Sequence, residues 1–303
     1  MEREESEDRA DVGIIAFRVF LEEPVSEGEK SKIEVEETYV HRKQPFPKTM
    51  HINDMPKVRV FDNAYYLSFY HSKSTKSTFE FGPGTKIISF TNIEKADEKS
   101  HSVRFGAFKD IAPLSVKSVY VHANYDDAIA VFRNVTRTVT VSHWDKIQVD
   151  EFYQLHNEIA ELKGEFGRID FNEWKIHHSI NWLQCSLPYE AHSLYYVDPV
   201  GNVSTSNAYR NAEDVSFRIM PRFPVMGGWK TTWNQGYALP SNSAIKVDKE
   251  DSSHYVFTTN LAYSFDEIVA EDFSIKIVLP AGASDIKVKS PVKMDSETFS
   301  TTF

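Results

Sequence analysis

Val135-Thr136-Arg137-Thr138-Val139-Thr140-Val141 sets valines and threonines against each other at alternate positions. A period of two marks a half-buried β-strand, because successive side chains of an extended chain point to opposite faces. Phe273, Ile275, Ile277 and Leu279 alternate in the same way with Ser274 and Lys276. A Pro280-Ala281-Gly282 turn follows, and Ile286 and Val288 are expected to open the partner strand. Upstream, residues 32–40 are rich in β-formers, and residues 86–90 and 116–122 read as strands. Residues 58–61 and 64–70 read as two strands joined across an Asp62-Asn63 turn. Between 147 and 162 two rhythms compete. Phe152, Leu155, Ile159 and Leu162 fit a helix, whereas Ile147, Val149, Tyr153 and Leu155 fit alternation. No N-cap and no C-terminal cluster of cations supports the helix, so a strand is expected.

The composition of the 303 residues, 41% hydrophobic and 26% charged, is that of a globular protein long enough for two ordinary domains. A net charge of −10 argues against nucleic acid or an anionic membrane surface as the main partner. One cysteine, Cys185, excludes an intramolecular disulfide, and its place in Leu183-Gln184-Cys185-Ser186-Leu187 predicts a buried, inert thiol. No apolar run approaches the ~20 residues of a membrane span. The charged start, residues 1–11, reads as a solvated, disordered acidic tail, the opposite of a secretory signal.

Residues 221–240 concentrate prolines, a glycine pair, two tryptophans and two cations. Proline fixes φ and glycine permits positive φ, so this is a shaped connection between strands. Two readings stand side by side: an aromatic corner covering the core, or a partner-binding surface built from Pro221, Arg222, Phe223, Gly227, Trp229, Lys230 and Trp233. The stretch also has an earlier copy. Phe17, Arg18, Pro24, Val25, Gly28 and Lys30 match Phe217, Arg218, Pro224, Val225, Gly228 and Lys230 at one constant offset. Two related domains are implied. Two tandem β-domains are therefore expected, in a mostly β fold with little helix. The repeat leaves both incomplete at the chain ends: the latter part of one over residues 12–135, and another over 136–303 lacking its last strands. Pro221, Arg222, Phe223, Gly227 and Trp229 are particular to the second copy.

No H-E-x-x-H, G-x-S-x-G, P-loop or dinucleotide fingerprint occurs. His177 and His178 are adjacent, and on a strand would point to opposite faces, so they do not chelate one ion. Gly82-Pro83-Gly84-Thr85-Lys86 reads as a turn. Sequons stand at Asn134-Val135-Thr136 and Asn202-Val203-Ser204. Asn202 is the better glycan acceptor, because the turn at Asp198-Pro199-Val200-Gly201 exposes it, whereas Asn134 enters the Val/Thr strand.

Several motifs share an order and spacing. They are Val141-Ser142-His143-Trp144; Leu162-Lys163-Gly164 with Phe166, Arg168 and Asp170; Asp198 with Gly201-Asn202-Val203-Ser204; residues 221–230 with Gly236-Tyr237; Ile275 to Ala283; and Ser290-Pro291. In these the chain, over residues 32–303, resembles the ribophorin I family. The resemblance implies tandem luminal β-sandwiches, related in shape to the β-domain of zinc aminopeptidases, followed by a membrane helix absent from this chain. It implies residence at the endoplasmic reticulum membrane, a glycan on Asn202, no cofactor, no metal and no catalytic residue. It further implies an accessory subunit of the oligosaccharyltransferase, which moves a preassembled glycan from dolichyl diphosphate to Asn-X-Ser/Thr in nascent proteins. The partners implied are the other transferase subunits, the catalytic membrane subunit among them, the translocon and nascent polypeptide. The alternatives are a cytosolic β-sandwich interaction module, consistent with the acidic start, and a detached β-domain of a zinc aminopeptidase-like enzyme.

Overall fold

A computed structural model of the protein describes residues 2–4, 16–21, 24–26, 28–142, 146–173, 176–249, 251 and 254–301. Of the tail expected over residues 1–11, Glu2–Glu4 are described and form a strand; the rest, like His143 and Trp144, lies outside the described residues. The chain divides into two compact units, Met1–Tyr39 and Val40–Phe303. In the first, Glu2–Glu4 pairs antiparallel with Ala16–Arg18.

The second unit is built of strands. Apart from two short pairs, Thr49–Met50 with Glu161–Leu162 and Ile245–Val247 with Tyr255–Phe257, they are in chain order β1 (Lys43–Pro45), β2 (Lys57–Asn63), β3 (Ser72–Glu80), β4 (Ile87–Phe90), β5 (Ala96–Lys99), β6 (Ser102–Ile111) and β7 (Ser118–Asn124). Then come β8 (Ala130–Val141), β9 (Lys146–Asn157), the helix α1 (Arg168–Glu173), β10 (Leu183–Pro188), β11 (His192–Asp198), β12 (Gly201–Asn202) and β13 (Asn207–Arg210). The series ends with β14 (Asp214–Ile219), β15 (Lys230–Pro240), β16 (Val269–Ala270) and β17 (Phe273–Val278). The sheet β1-β2-β7-β4 and the sheet β3-β6-β5 close on a core of Ala64, Ile87, Val103, Phe105, Phe108, Val119 and Val121. A larger sandwich sets β12-β11-β15-β9-β8, extended by β16 and β17, over β10-β14-β13. Phe132, Tyr153, Leu155, Phe217, Ile219 and Trp233 fill its core. The two cores separate between β7 and β8, while the expected boundary between residues 135 and 136 falls inside β8.

Several expectations hold. The ambiguous stretch at 147–162 is strand through Asn157, antiparallel to β8 on one side and β15 on the other, and leaves the ladder at residues 158–160. Cys185 is free and buried, with burial pushing its thiol pKa up. Gly82 to Thr85 is a turn, with Thr85 N donating to Gly82 O at 3.2 Å. Other expectations fail. Residues 64–70 are not a strand after an Asp62-Asn63 turn. β2 runs through Asn63, whose side-chain oxygen then accepts from Tyr65 N at 3.2 Å and Lys117 N at 2.7 Å, taking the place of further ladder bonds. The Pro280 turn forms, but no strand follows at Ile286 and Val288, which stay exposed. His177 and His178 are not on a strand, although they do diverge, His177 exposed and His178 buried.

The earlier copy of the repeat preserves its turn and not its packing. Glu29 N donates to Ser26 O at 3.1 Å and Trp229 N to Met226 O at 2.9 Å, with Gly28 at φ +88° and Gly228 at φ +77°. Yet Val25 is 42% exposed and Val225 0%. The shared residues encode a local backbone shape, and among the described residues only the second copy buries its valine in a packed corner.

A polar cluster lies within the larger core. On the valine face of β8, Arg137 is 3% exposed, and it pairs with Glu151 of β9, which is 0% exposed. Glu151 also accepts from Tyr153 Oη at 2.7 Å, Ser264 Oγ at 2.8 Å and Gln235 Nε2 at 3.1 Å. Tyr237 Oη accepts from Arg137 Nη2 at 3.1 Å, and Gln235 Oε1 from Trp233 Nε1 at 3.0 Å. Burial opposes the Arg137 charge, but Tyr237 and Glu151 hold its pKa above the ordinary value. Removing one partner of such a pair strands the other charge, so Glu151→Ala is expected to cost about 3–5 kcal/mol in urea unfolding. Paired apolar replacement, Arg137→Met with Glu151→Leu, should also lose stability here, because Tyr153, Ser264 and Gln235 forfeit their acceptor. A double variant as stable as the parent would refute that dependence.

Candidate functional site

The stretch 221–233 turns a corner from β14 into β15. Its backbone is held from below. Leu162 N donates to Gly227 O at 3.0 Å, Gly228 N to Asn157 O at 2.9 Å, and Val225 and Ile180 exchange bonds at 3.0 Å. A Cβ on Gly227 would fall 1.9 Å from Ala160 O, so glycine is required there by close approach. Trp229 is half-buried between Phe166 at 5.5 Å and Phe223 at 6.0 Å between ring centroids. Phe166 in turn meets Phe171 of α1 at 5.7 Å.

The expected surface set divides accordingly. Arg222, Phe223 and Lys230 are exposed, Pro221 and Trp229 half-buried. Gly227 is buried, and Trp233 is 1% exposed and stacked on Tyr153 at 5.1 Å, so neither presents a side chain to a partner. Trp233 faces inward because strand alternation from Thr232 turns it toward the core.

Arg222 has a structural task. Its Nε donates to Asp198 Oδ2 at 2.6 Å and its Nη2 to Asp198 Oδ1 at 2.9 Å, a two-pronged clamp. Asp198 also accepts from Val200 N and Gly201 N, both at 2.9 Å, closing the turn between β11 and β12. Asn202 is exposed at the far side of that turn. The other sequon differs. Asn134 is half-buried in β8 beside a register shift; its Nδ2 donates to Asp272 Oδ2 at 3.4 Å and its Oδ1 accepts from Thr136 Oγ1 at 3.3 Å.

At one end of β8 and β9, His41 Nδ1 lies 3.3 Å from Glu158 and its Nε2 3.3 Å from Glu271. These groups come within 4.8 Å of one another, the spacing of a metal-ligand set. Arg133 bridges the same two carboxylates, so the cluster already carries its own cation and works as a clasp among β8, β9 and the turn before β17. The alternating pattern of β8 and β9 had concealed Arg137 and Glu151. The detectable signal is a polar residue at a central inward position on each of β8, β9 and β15: Arg137, Glu151 and Gln235.

A family model described as Ribophorin I matches residues 1–303. This chain belongs to the ribophorin I family. Among curated proteins, dolichyl-diphosphooligosaccharide–protein glycosyltransferase subunit 1A of Arabidopsis thaliana is 32% identical to it, over 94% of the chain and 46% of the relative. Subunit 1 of Caenorhabditis elegans is 31% identical over 96% of the chain and 50% of the relative, and Arabidopsis subunit 1B is 31% identical over 93% and 61%. The chain thus spans about half the length of these curated relatives. Ribophorin I membership agrees with the mostly β architecture described above.

The Arg222 hydrogen bonds, followed by those of Gly201 and Val200, lower the Asp198 pKa from 3.8 to about 2. A depressed carboxylate pKa stabilises the fold above the ordinary value and loses that contribution as pH falls through the folded one. Asp198→Asn is therefore expected to lower the melting temperature at neutral pH, with the gap to the parent closing between about pH 4 and about pH 2. Gly227→Ala is expected to cost about 1–3 kcal/mol in denaturant unfolding through overpacking against Ala160.

Proposed function

We propose that this chain forms the paired β-sandwich part of a non-catalytic subunit of the oligosaccharyltransferase, the complex that transfers a preassembled glycan from dolichyl diphosphate to Asn-X-Ser/Thr of nascent proteins. The observation that carries the reading is the family match across the whole chain, with relatives named as subunit 1 of that glycosyltransferase. The side-chain chemistry agrees with a scaffold. Glu151 is bound by Arg137, Gln235 and Ser264 inside the core, and Arg222 holds Asp198 at the turn, so these contacts serve to hold shape.

On this reading the sandwiches stand on the lumenal side of the endoplasmic reticulum membrane, attached by a helix outside these 303 residues. Among the described residues no helix is long and apolar enough to cross a membrane. Arg222, Phe223, Trp229 and Lys230, with Pro221 beneath them, form the contact surface toward other subunits, the translocon or the nascent chain. Asn202 carries an N-glycan, while Asn134 is the poorer acceptor, since its amide is engaged by Asp272 and Thr136.

The test is affinity purification of the full-length gene product from membranes. The catalytic transferase subunit is expected to co-purify, and a glycosidase-sensitive mobility shift is expected to vanish in Asn202→Gln and persist in Asn134→Gln. Recovery without any transferase subunit would overturn the assignment. Unchanged recovery for Phe223→Ala combined with Lys230→Ala would remove the corner from the contact surface and leave the rest intact.

A further inference from the structure

The sheet β1-β2-β7-β4 turns one face to its core and the other away from it, where Phe46 packs over His122 at 5.5 Å and leaves that imidazole 8% exposed. Register decides which residues share the outer face: Arg59 stands opposite His122, Phe61 opposite Tyr120, and Lys57 opposite Asn124. The intervening Val58, Val119 and Val121 are buried on the inner side. The adjoining outer positions on the flanking strands are Gln44, opposite Arg59, and Ser89, opposite His122. These outward positions hold cations, aromatic rings and neutral polar groups, and no Asp or Glu. In a chain of net charge −10 such a face runs against the overall composition.

Its centre is organised around one guanidinium. The Arg59 Cζ lies 3.4 Å from the Phe46 ring centroid and 5.3 Å from that of Tyr120. Its Nε has no hydrogen-bond partner, and no described carboxylate pairs with Arg59 or Lys57. Phe61 and Tyr120 meet at 5.9 Å, and Phe46 and Phe61 are both exposed. His122 Nε2 is 3.0 Å from Phe46 O. Burial first, then the charges of Arg59 and Lys57, hold its pKa below the ordinary value despite that hydrogen bond, which marks the local field as positive.

We infer that this face docks an acidic, extended segment of a partner protein. Arginine and aromatic rings are the groups that dominate protein interface cores, and the charge here complements carboxylates. A flat sheet face suits a chain laid across strands more than a small ligand, which binds in concave sites. The net negative charge of the whole chain disfavours nucleic acid as the anion. The inference is independent of family membership and of the corner at residues 221–233.

Fluorescence anisotropy with the 303-residue chain tests it, using a labelled short Asp/Glu-rich peptide and its Asn/Gln counterpart. The acidic peptide is expected to bind and the neutral one not. Arg59→Ala is expected to weaken binding about tenfold or more, as is the charge reversal Lys57→Glu at a half-buried position less critical for folding. Added salt should weaken binding progressively. Equal affinity for both peptides, or unchanged affinity in a folded Lys57→Glu variant, would overturn the inference. So would displacement of the peptide by inorganic phosphate at concentrations where free glutamate has no effect, since that would assign the face to phosphate groups.

Discussion

Glu151 is the residue on which the larger sandwich depends. It stands fully buried on β9, the strand between β8 and β15, and draws hydrogen bonds from Arg137, Tyr153, Gln235 and Ser264. A carboxylate in that position is costly alone, and each donor is costly without it. The network therefore selects one register. A slip of β8 or β15 by one residue would turn Arg137 or Gln235 outward and leave Glu151 charged among apolar side chains. Hydrophobic alternation alone would tolerate several pairings of these Val- and Thr-rich strands, and the polar cluster removes that freedom.

The corner at 221–233 inherits its shape from this arrangement. Trp233 and Gln235 anchor β15 in the core, so the chain just before them must descend at a set angle, and Gly227 meets the Ala160 backbone there. Trp229 then stands at the rim, sandwiched by Phe166 and Phe223. Both readings of this stretch thus describe parts of it: the glycines and Trp233 are core architecture, while Arg222, Phe223 and Lys230 remain outside. Arg222 further couples the corner to the Asn202 turn, so two features distant in sequence form one local assembly.

What the sequence made legible, and what it hid, follows from the range of the interactions involved. The strand character of β8, β9 and β17 was readable because alternation is a local property. The repeated turn was readable for the same reason, and Gly28 and Gly228 do share a backbone shape. The Asp62-Asn63 turn failed because Asn63 bonds to Lys117, a partner far along the chain that no short window contains. Ile286 and Val288 have the right alternation, yet alternation states a preference for a sheet and supplies no neighbour. Arg137 and Glu151 were hidden by a period that looks complete with one position skipped. Only the juxtaposition of β8, β9 and β15 shows that the skipped positions answer one another.

The parallel pairing of β8 with β17 joins Val135 to Phe273 and Thr140 to Val278. During synthesis at ~5–20 residues per second, β8 would leave the ribosome on the order of ten seconds before β17. For that interval β8, already paired with β9 on one side, offers an open row of Val and Thr backbone groups to any extended chain nearby. A protein of this topology completes its own sheet only late, and the long strand β8 is vulnerable while the ribosome is still at work. Time, as much as contact energy, is a constraint written into the order of these strands.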